Sequence, residues 1–399
     1  MPHFFCITTL LVLSLALCPQ AHAQSVDRNA RARLTQSLDQ VDSMMLAEKY
    51  KDALPLADTL LAHAKALVGE ATLDTIYIRT LHTCGRILYF NGKYDLAIAR
   101  HEACLTLKRQ LYDGENVRIA VTLTNLGICW YDKKKYTTAI EYQQQALAIY
   151  QKLNNPRLPA LADCWNNLAN AQADNGQNEI ALESYHKALI IRARNEGANS
   201  LGIASIYQNA AGCYISLNDV DEAIKEYQKA LSIYRLRPKE KPASAAHAWY
   251  NLGQCCIITG DLEYAEYCNE QALKLRKESL TANHPYILNS LRSLANTYRR
   301  KGDSDRADYY FNAVLESRRK TLSPGDPQLS NSISDVSIAA KQSGDWARAE
   351  KLALEVIEIE GAKPMRDSLL TARLVSNYGN LLLEMKGPDT ALVLYRQAF

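Results

Sequence analysis

Two columns of polar residues carry most of the chemistry this sequence could perform. At intervals of 42 residues stand Thr83, Asn125, Asn167, Asn209, Asn251, Ser293, Asp335 and Asn377, and three residues further on come Asn170, Gln254, Asn296 and Asn380. A carboxamide has both donors and an acceptor, so a row of them can pair with the backbone of an extended peptide. The same amides can instead bridge neighbouring elements and set their spacing. A basic group comes next. Asn289, Arg292, Asn296 and Arg299 recur at i, i+3, i+7 and i+10 and share one helix face, with Arg300 beside it. That face could take an acidic side chain or a terminal carboxylate, or simply be solvated.

Nucleophiles are scarcer. His101 and Cys104 lie about one helical turn apart, as a base and a thiol would. Cys104, however, occupies a small-residue position of a repeat, where packing is the better account. Adjacent Cys255 and Cys256 could form a redox pair, yet both fall mid-helix, where a bond between neighbours strains the backbone. No cysteine belongs to a CxxC pair and no histidine stands at zinc-finger spacing, so the cysteines from Cys84 to Cys268 read as buried thiols in helix contacts. Phosphate-binding, dinucleotide, zinc-protease and serine-hydrolase fingerprints are all missing. The sequence offers no enzyme, no cofactor and no metal site.

Charge narrows the partners. With 46 Lys+Arg against 43 Asp+Glu, a net charge of +3 over 399 residues is too small to suggest nucleic acid or a membrane surface. The basic runs Lys133–Lys135 and Arg318–Lys320 fall at helix ends or turns and read as solvated. The seven tyrosines Tyr142, Tyr150, Tyr185, Tyr227, Tyr234, Tyr267 and Tyr395 fall on second helices and read as mostly core.

The elements that must position these residues are repeated. Ala97, Ala139, Ala181, Ala223, Ala265, Ala307, Ala349 and Ala391 are each separated by 42 residues. Twelve residues before each stands another small residue: Gly85, Gly127, Ala169, Ala211, Gly253, Ala295, Ser337 and Gly379. Apolar residues spaced i, i+3, i+4 and i+7 flank both columns and predict two helices per unit. Between the helices, Asn91-Gly92, Asn175-Gly176, Thr259-Gly260, Lys301-Gly302 and Ser343-Gly344 supply the left-handed residue that ends a helix. Each hairpin can bury its apolar face only against its neighbours, which predicts a solenoid.

This framework of small residue, alanine and alanine resembles the tetratricopeptide repeat family, as do Trp165, Tyr214, Trp249 and Tyr298 in the first helices. HEAT and armadillo repeats have a similar period but lack it. The resemblance implies an all-α fold, a right-handed α-solenoid of antiparallel helix pairs whose first helices line a concave groove. It also implies that the residue two before the small position points into that groove. The period of 42, with Asn283-His284-Pro285 and Asp326-Pro327, is similar to the long variety found in kinesin light chains and many bacterial arrays. Those arrays use an asparagine ladder to hold a peptide. The peptide-binding residues expected here are Asn125, Asn167, Asn170, Asn209, Asn251, Gln254, Arg292, Asn296, Arg299, Asn377 and Asn380. Eight units would cover residues 78–399, preceded at 24–77 by a degenerate capping unit with Ala53 in place and Val41 at the small position.

The chain ends are also informative. The apolar run Phe4–Leu17, followed by Ala21-His22-Ala23, has the layout of a cleaved signal peptide spanning residues 1–23, and no later stretch is apolar enough to span a membrane. An exported protein, periplasmic or secreted, is therefore expected. Phe399 falls inside the second helix of the last unit, so the chain is either a fragment of a longer protein or has a partner over this end. Two functions follow. One is an exported scaffold gripping an extended peptide of a protein partner. The other is a regulatory or sensing array joined to a catalytic domain beyond residue 399, of the CHAT-protease or sensor-kinase kind.

Overall fold

The computed structural model describes residues 28–69, 73–112, 116–153, 159–361, 368–389 and 391. The expected signal segment 1–23, Tyr395 and the chain end at Phe399 lie outside the described residues. Among the described residues all regular structure is helical.

The chain forms two compact units that meet in sequence at Ala198 and Asn199. The first holds α1 (28–46), α2 (Tyr50–Val68), α3 (Thr75–Phe90) and α4 (Tyr94–Leu111). It continues with α5 (Val117–Asp132), α6 (Tyr136–Lys152), α7 (Pro159–Asp174) and α8 (Asn178–Glu196). The second unit begins with α9 (Leu201–Ser216), α10 (Val220–Leu236), α11 (Pro242–Thr259), α12 (Leu262–Ser279) and α13 (Pro285–Lys301). It ends with α14 (Ser304–Thr321), α15 (Pro327–Gln342), α16 (Trp346–Gly361) and α17 (Ser368–Lys386). Within each unit a helix packs on the one before and the one after it, so each is a solenoid of antiparallel helix pairs.

The local chemistry that makes these elements is repeated with them. Side chains of Asp74, Asn116, His284 and Asp326 cap first helices by accepting a backbone N–H, and Asp219, Asp261 and Asp303 do the same for second helices. The tight turn inside each hairpin needs one left-handed residue. Gly92, Gly176, Gly260, Gly302 and Gly344 supply it, but Lys134 (φ 59°) and Asn218 (φ 62°) fill the same place without being glycine.

Packing explains the two small columns. All eight alanines of the second-helix column are at most 2% exposed. Sixteen residues beyond Gly85, Gly127 and Gly253 of the first-helix column lies a flat polar side chain on the facing helix: a Cβ at Gly85 would stand 2.5 Å from the ring of His101, and at Gly127 2.5 Å from Gln143. At Gly253 it would meet the Asn269 amide at 2.9 Å. Where the column holds Ala169, Ala211 or Ala295, the same spacing brings Tyr185, Tyr227 and Phe311. In these three hairpins glycine leaves room for a polar group sealed between the helices.

Candidate functional site

First helices of successive pairs approach one another in both units: α3 touches α5, α5 touches α7, α11 touches α13 and α15 touches α17. Second helices do not meet to the same extent, so in each unit the first helices form the inner layer. The two polar columns lie on that layer.

In the first unit Asn125 on α5 and Asn167 on α7 are half-buried, and neither makes a hydrogen bond among the described residues. Asn170, one turn on, accepts from the Tyr185 hydroxyl at 2.6 Å across its own hairpin. The second unit treats the columns differently. Gln254 donates through Nε2 to Ser293 Oγ at 2.5 Å, from α11 to α13. Arg292 forks onto Asp335 of α15 with N–O distances of 2.6 and 3.1 Å, and this partner raises the guanidinium pKa and holds its charge. Asn377 donates to Ser334 Oγ at 3.3 Å. Asn251 lies 3.4 Å from the ring nitrogens of His247 on its own helix, whereas Asn209 and Asn380 are exposed.

The basic face of α13 is less open than its spacing suggests. Besides the Arg292–Asp335 pair, Arg299 donates to Asn296 Oδ1 at 3.3 Å and Arg300 to the Ile257 carbonyl at 2.6 Å. Asn289 is exposed. Four of the five residues are thus bonded to the protein's own groups.

The nucleophile candidates resolve as packing. Cys104 is fully buried, burial pushes its thiol pKa up, and its Sγ points to the Ile78 carbonyl at 3.5 Å. His101, 1% exposed, is driven down to about 3 by burial and then by the charges of Lys108 and Arg86, so it cannot hold a proton for a thiolate partner. All eight cysteines from Cys84 to Cys268 are buried free thiols, Cys255 and Cys256 included. Among the described residues no group of three His, Cys, Asp or Glu gathers to hold a metal, and no helix is long and apolar enough to cross a membrane.

One reading of the sequence is overturned, and with it a missed column appears. Arg318 is not solvated: it is 7% exposed, and its Nη1 donates to the Gln328 carbonyl at 2.8 Å and to Ser332 Oγ at 2.7 Å. Arg276 repeats this with Tyr286 and Ser290, and Lys108 with Arg118 and Thr122. Each latches a second helix to the next first helix by satisfying a carbonyl and a hydroxyl. The signal was present as a cation eleven residues after the alanine column and a Ser or Thr fourteen residues further on. The other basic run divides, with Lys134 and Lys135 exposed and Lys133 paired with Asp95. Of the second-helix tyrosines, Tyr150, Tyr185, Tyr227 and Tyr234 are core, while Tyr267 is 44% exposed.

Comparison with known proteins agrees with this architecture. A search of curated proteins gave no match. Among solved structures, the apo form of RapI superposes with a TM-score of 0.61 at 13% identity, covering 88% of this chain and 98% of that one. The apo form of the quorum sensor NprR from B. thuringiensis gives 0.60 at 14% identity, over 82% and 87%. BtubC from P. vanneervenii gives 0.50 at 22% identity, over 59% and 94%. At such identities the likeness is one of fold. The sequence itself goes further, because a model described as tetratricopeptide repeat matches residues 77–152, 160–235 and 244–320. These segments cover more than half of the chain, which belongs to the tetratricopeptide repeat family.

Proposed function

We propose that the protein is an exported scaffold that holds an extended peptide segment of a protein partner along its first helices, as long-repeat arrays similar to kinesin light chains do. The observation that carries this is the pair Asn125 and Asn167: same register, adjacent first helices, half-buried, and no hydrogen bond among the described residues. The alternative duty of such amides, bridging hairpins, draws on a polar side chain of the preceding unit either one position after its small residue, as Gln254 does, or three before it, as Arg292 and Ser334 do. Before Asn167 these positions hold Ile128 and Thr124, whose hydroxyl donates to the Ala120 carbonyl; before Asn125 they hold the Asp42-bound Arg86 and His82. An amide left half-buried without a partner costs free energy that a peptide backbone can recover. Export rests on the apolar run and Ala21-His22-Ala23, and is tested by an intact mass beginning at Gln24.

A peptide selected on the wild-type protein from a display library provides the functional test. Asn125→Ala with Asn167→Ala should weaken it by about tenfold or more, as the loss of two to four hydrogen bonds of ~0.5–1.5 kcal/mol each requires. The ligand-free variant should melt within about 2 °C of wild type. Full affinity combined with a much lower Tm would make these amides structural and remove them from the binding surface.

A further inference from the structure

The first unit contains a feature that the peptide reading does not use. A cleft of about 710 Å³ lies between the N-terminal parts of α1, α3 and α5 and the end of α4. Its size falls within the roughly 300–1,000 Å³ of small-molecule sites. Arg31, Arg79, Lys108 and Arg118 border it, and no carboxylate is among its described lining residues. Two of these cations are matched already: Arg31 by Asp74 at 2.8 Å, and Arg79 by Asp39 and Asp42 at 2.6 and 2.9 Å. Lys108 and Arg118 meet no carboxylate among the described residues; Arg118 rests over the Tyr112 ring at 5.3 Å.

Lys108 is the telling member. It is 7% exposed, and the groups it donates to, the Arg118 carbonyl and Thr122 Oγ1, are neutral. The same latch elsewhere has compensation. Arg276 is clasped by the rings of Tyr250 and Tyr286 at 4.7 and 5.4 Å; the Arg318 pKa is lowered by burial and by the charge of Arg292, and Asp335 and Asp326 offset part of that. Lys108 backs onto the cleft instead. A buried cation without a counter-charge is costly, and an anion entering the cleft would supply one. Two helix N-termini, at Thr75 of α3 and Val117 of α5, add the positive ends of their dipoles. His82 in the cleft wall is held well below the usual imidazole range, mainly by burial and then by the charge of Lys108, and its Nδ1 has no hydrogen-bond partner among the described residues. Ile76, Val117 and Val121 give the remaining wall an apolar surface.

We propose that this cleft binds a small organic dianion of the phosphate-monoester class, its charged end between Lys108 and Arg118 and its apolar body on Ile76, Val117 and Val121. The site stands independently of the asparagine pair, which lies outside it.

Phenyl phosphate is the probe, titrated calorimetrically into the full chain at low salt, with phenol and inorganic phosphate as controls. The expected result is saturable one-to-one binding, with inorganic phosphate weaker by about tenfold and phenol showing none. Arg118→Gln keeps the backbone carbonyl that receives Lys108; it should lower affinity by about tenfold or more while the ligand-free Tm is unchanged. Lys108→Met is the second variant, with the same loss expected. Asn125→Ala with Asn167→Ala should leave phenyl phosphate binding intact. Absence of saturable binding up to about 10 mM, equal affinity for phenol, or unchanged affinity in Arg118→Gln would each overturn the site.

Discussion

The two units share a register and use it for different ends. In the second, the inner layer is spent on the protein itself: Gln254 on Ser293, Arg292 on Asp335 and Asn377 on Ser334, with Lys341 to Glu384 outside them at 2.5 Å. In the first, Asn125 and Asn167 hold the same places with no such partner, and a cationic cleft opens beside α3 and α5. Two positions flanking the small residue of each hairpin make this difference. Gln254 after the small position, or Arg292 and Ser334 three before it, turn the next unit's column residue into a strut. Before Asn167 those places hold Ile128 and Thr124, which bonds its own helix. A repeating polar column is therefore a scaffold for a site, and the neighbouring register decides where along it a site remains.

The largest expected effect separates the units by acid. His101 is sealed over Gly85 in the first unit, while its counterparts in the second, Asn269 and Phe311, do not titrate in acid. Its folded pKa is about 3, against an ordinary value near 6.5, lowered first by burial and then by Lys108 and Arg86. Above pH 6.5 both folded and unfolded forms are neutral and nothing changes. As pH falls from 6.5 toward 3 the unfolded chain takes up a proton that the folded chain refuses, so stability is lost through that window, by something on the order of 3–5 kcal/mol. His101→Gln copies Gln143 over Gly127 and should remove this component. Chemical denaturation at pH 7.5 and pH 4 checks it; equal acid losses in wild type and variant would show that the imidazole is not held neutral.

Next come the glycines that permit such sealing. A Cβ at Gly127 would meet Gln143, itself 1% exposed and donating through Nε2 to the Thr124 carbonyl at 3.1 Å. Gly127→Ala should thus cost about 1–3 kcal/mol through overpacking. Gly212 in the second unit is also helical, but a Cβ there meets nothing within 4 Å. Gly212→Ala should therefore stabilise by roughly 0.5–1 kcal/mol, through helix propensity alone. Melting curves of the two variants must move in opposite directions for the packing account to stand.

Most of the fold was legible because its signal is repeated. Eight alanines at one interval specify where two helices touch, and the burial of all eight follows from that alone. The turn glycines were legible for the same reason. Arg318 was misread because a cation at a helix end is ordinarily solvated, and its burial depends on Ser332 fourteen residues later in another helix. The fate of the polar columns was not legible at single positions. Whether Asn167 is free or Gln254 is bonded depends on side chains one repeat away, a distance at which residue type has meaning only once the register is known. The cationic cleft was hidden for a different reason: Arg31, Arg79, Lys108 and Arg118 share no spacing and converge only through the fold.

A smaller effect tests the strut itself. Arg292 and Asp335 form a two-pronged pair in which the side chains are 42% and 18% exposed, so solvent screens much of the attraction. A double-mutant cycle with Arg292→Ala and Asp335→Ala should give a coupling of about 0.5–1.5 kcal/mol, falling as salt is added. The corresponding cycle on Asn125 and Asn167 should give a value near zero. Coupling of similar size in both would erase the contrast between the units.

The smallest effect concerns the turns. Six inner turns among the described residues place glycine in the left-handed region, and Asn218 tolerates it because its short side chain can bond locally. Lys134 does not share that excuse. At φ 59° it closes the α5–α6 hairpin with its N–H on the Tyr131 carbonyl at 2.7 Å, and its side chain is exposed. The neighbouring Lys133, which carries the contact to Asp95 and rests 5.3 Å from the Trp130 ring, is left untouched by a change at 134. Lys134→Gly relieves the conformation but also frees the unfolded chain, and these act in opposite directions. The relief of about 1–2 kcal/mol exceeds the entropic term of roughly 0.5–1 kcal/mol, so a net gain of a few tenths to about 1 kcal/mol is expected. Asn218→Gly in the second unit should gain less. A Lys134→Gly variant that melts below wild type would mean that the lysine side chain, rather than its backbone, holds that hairpin.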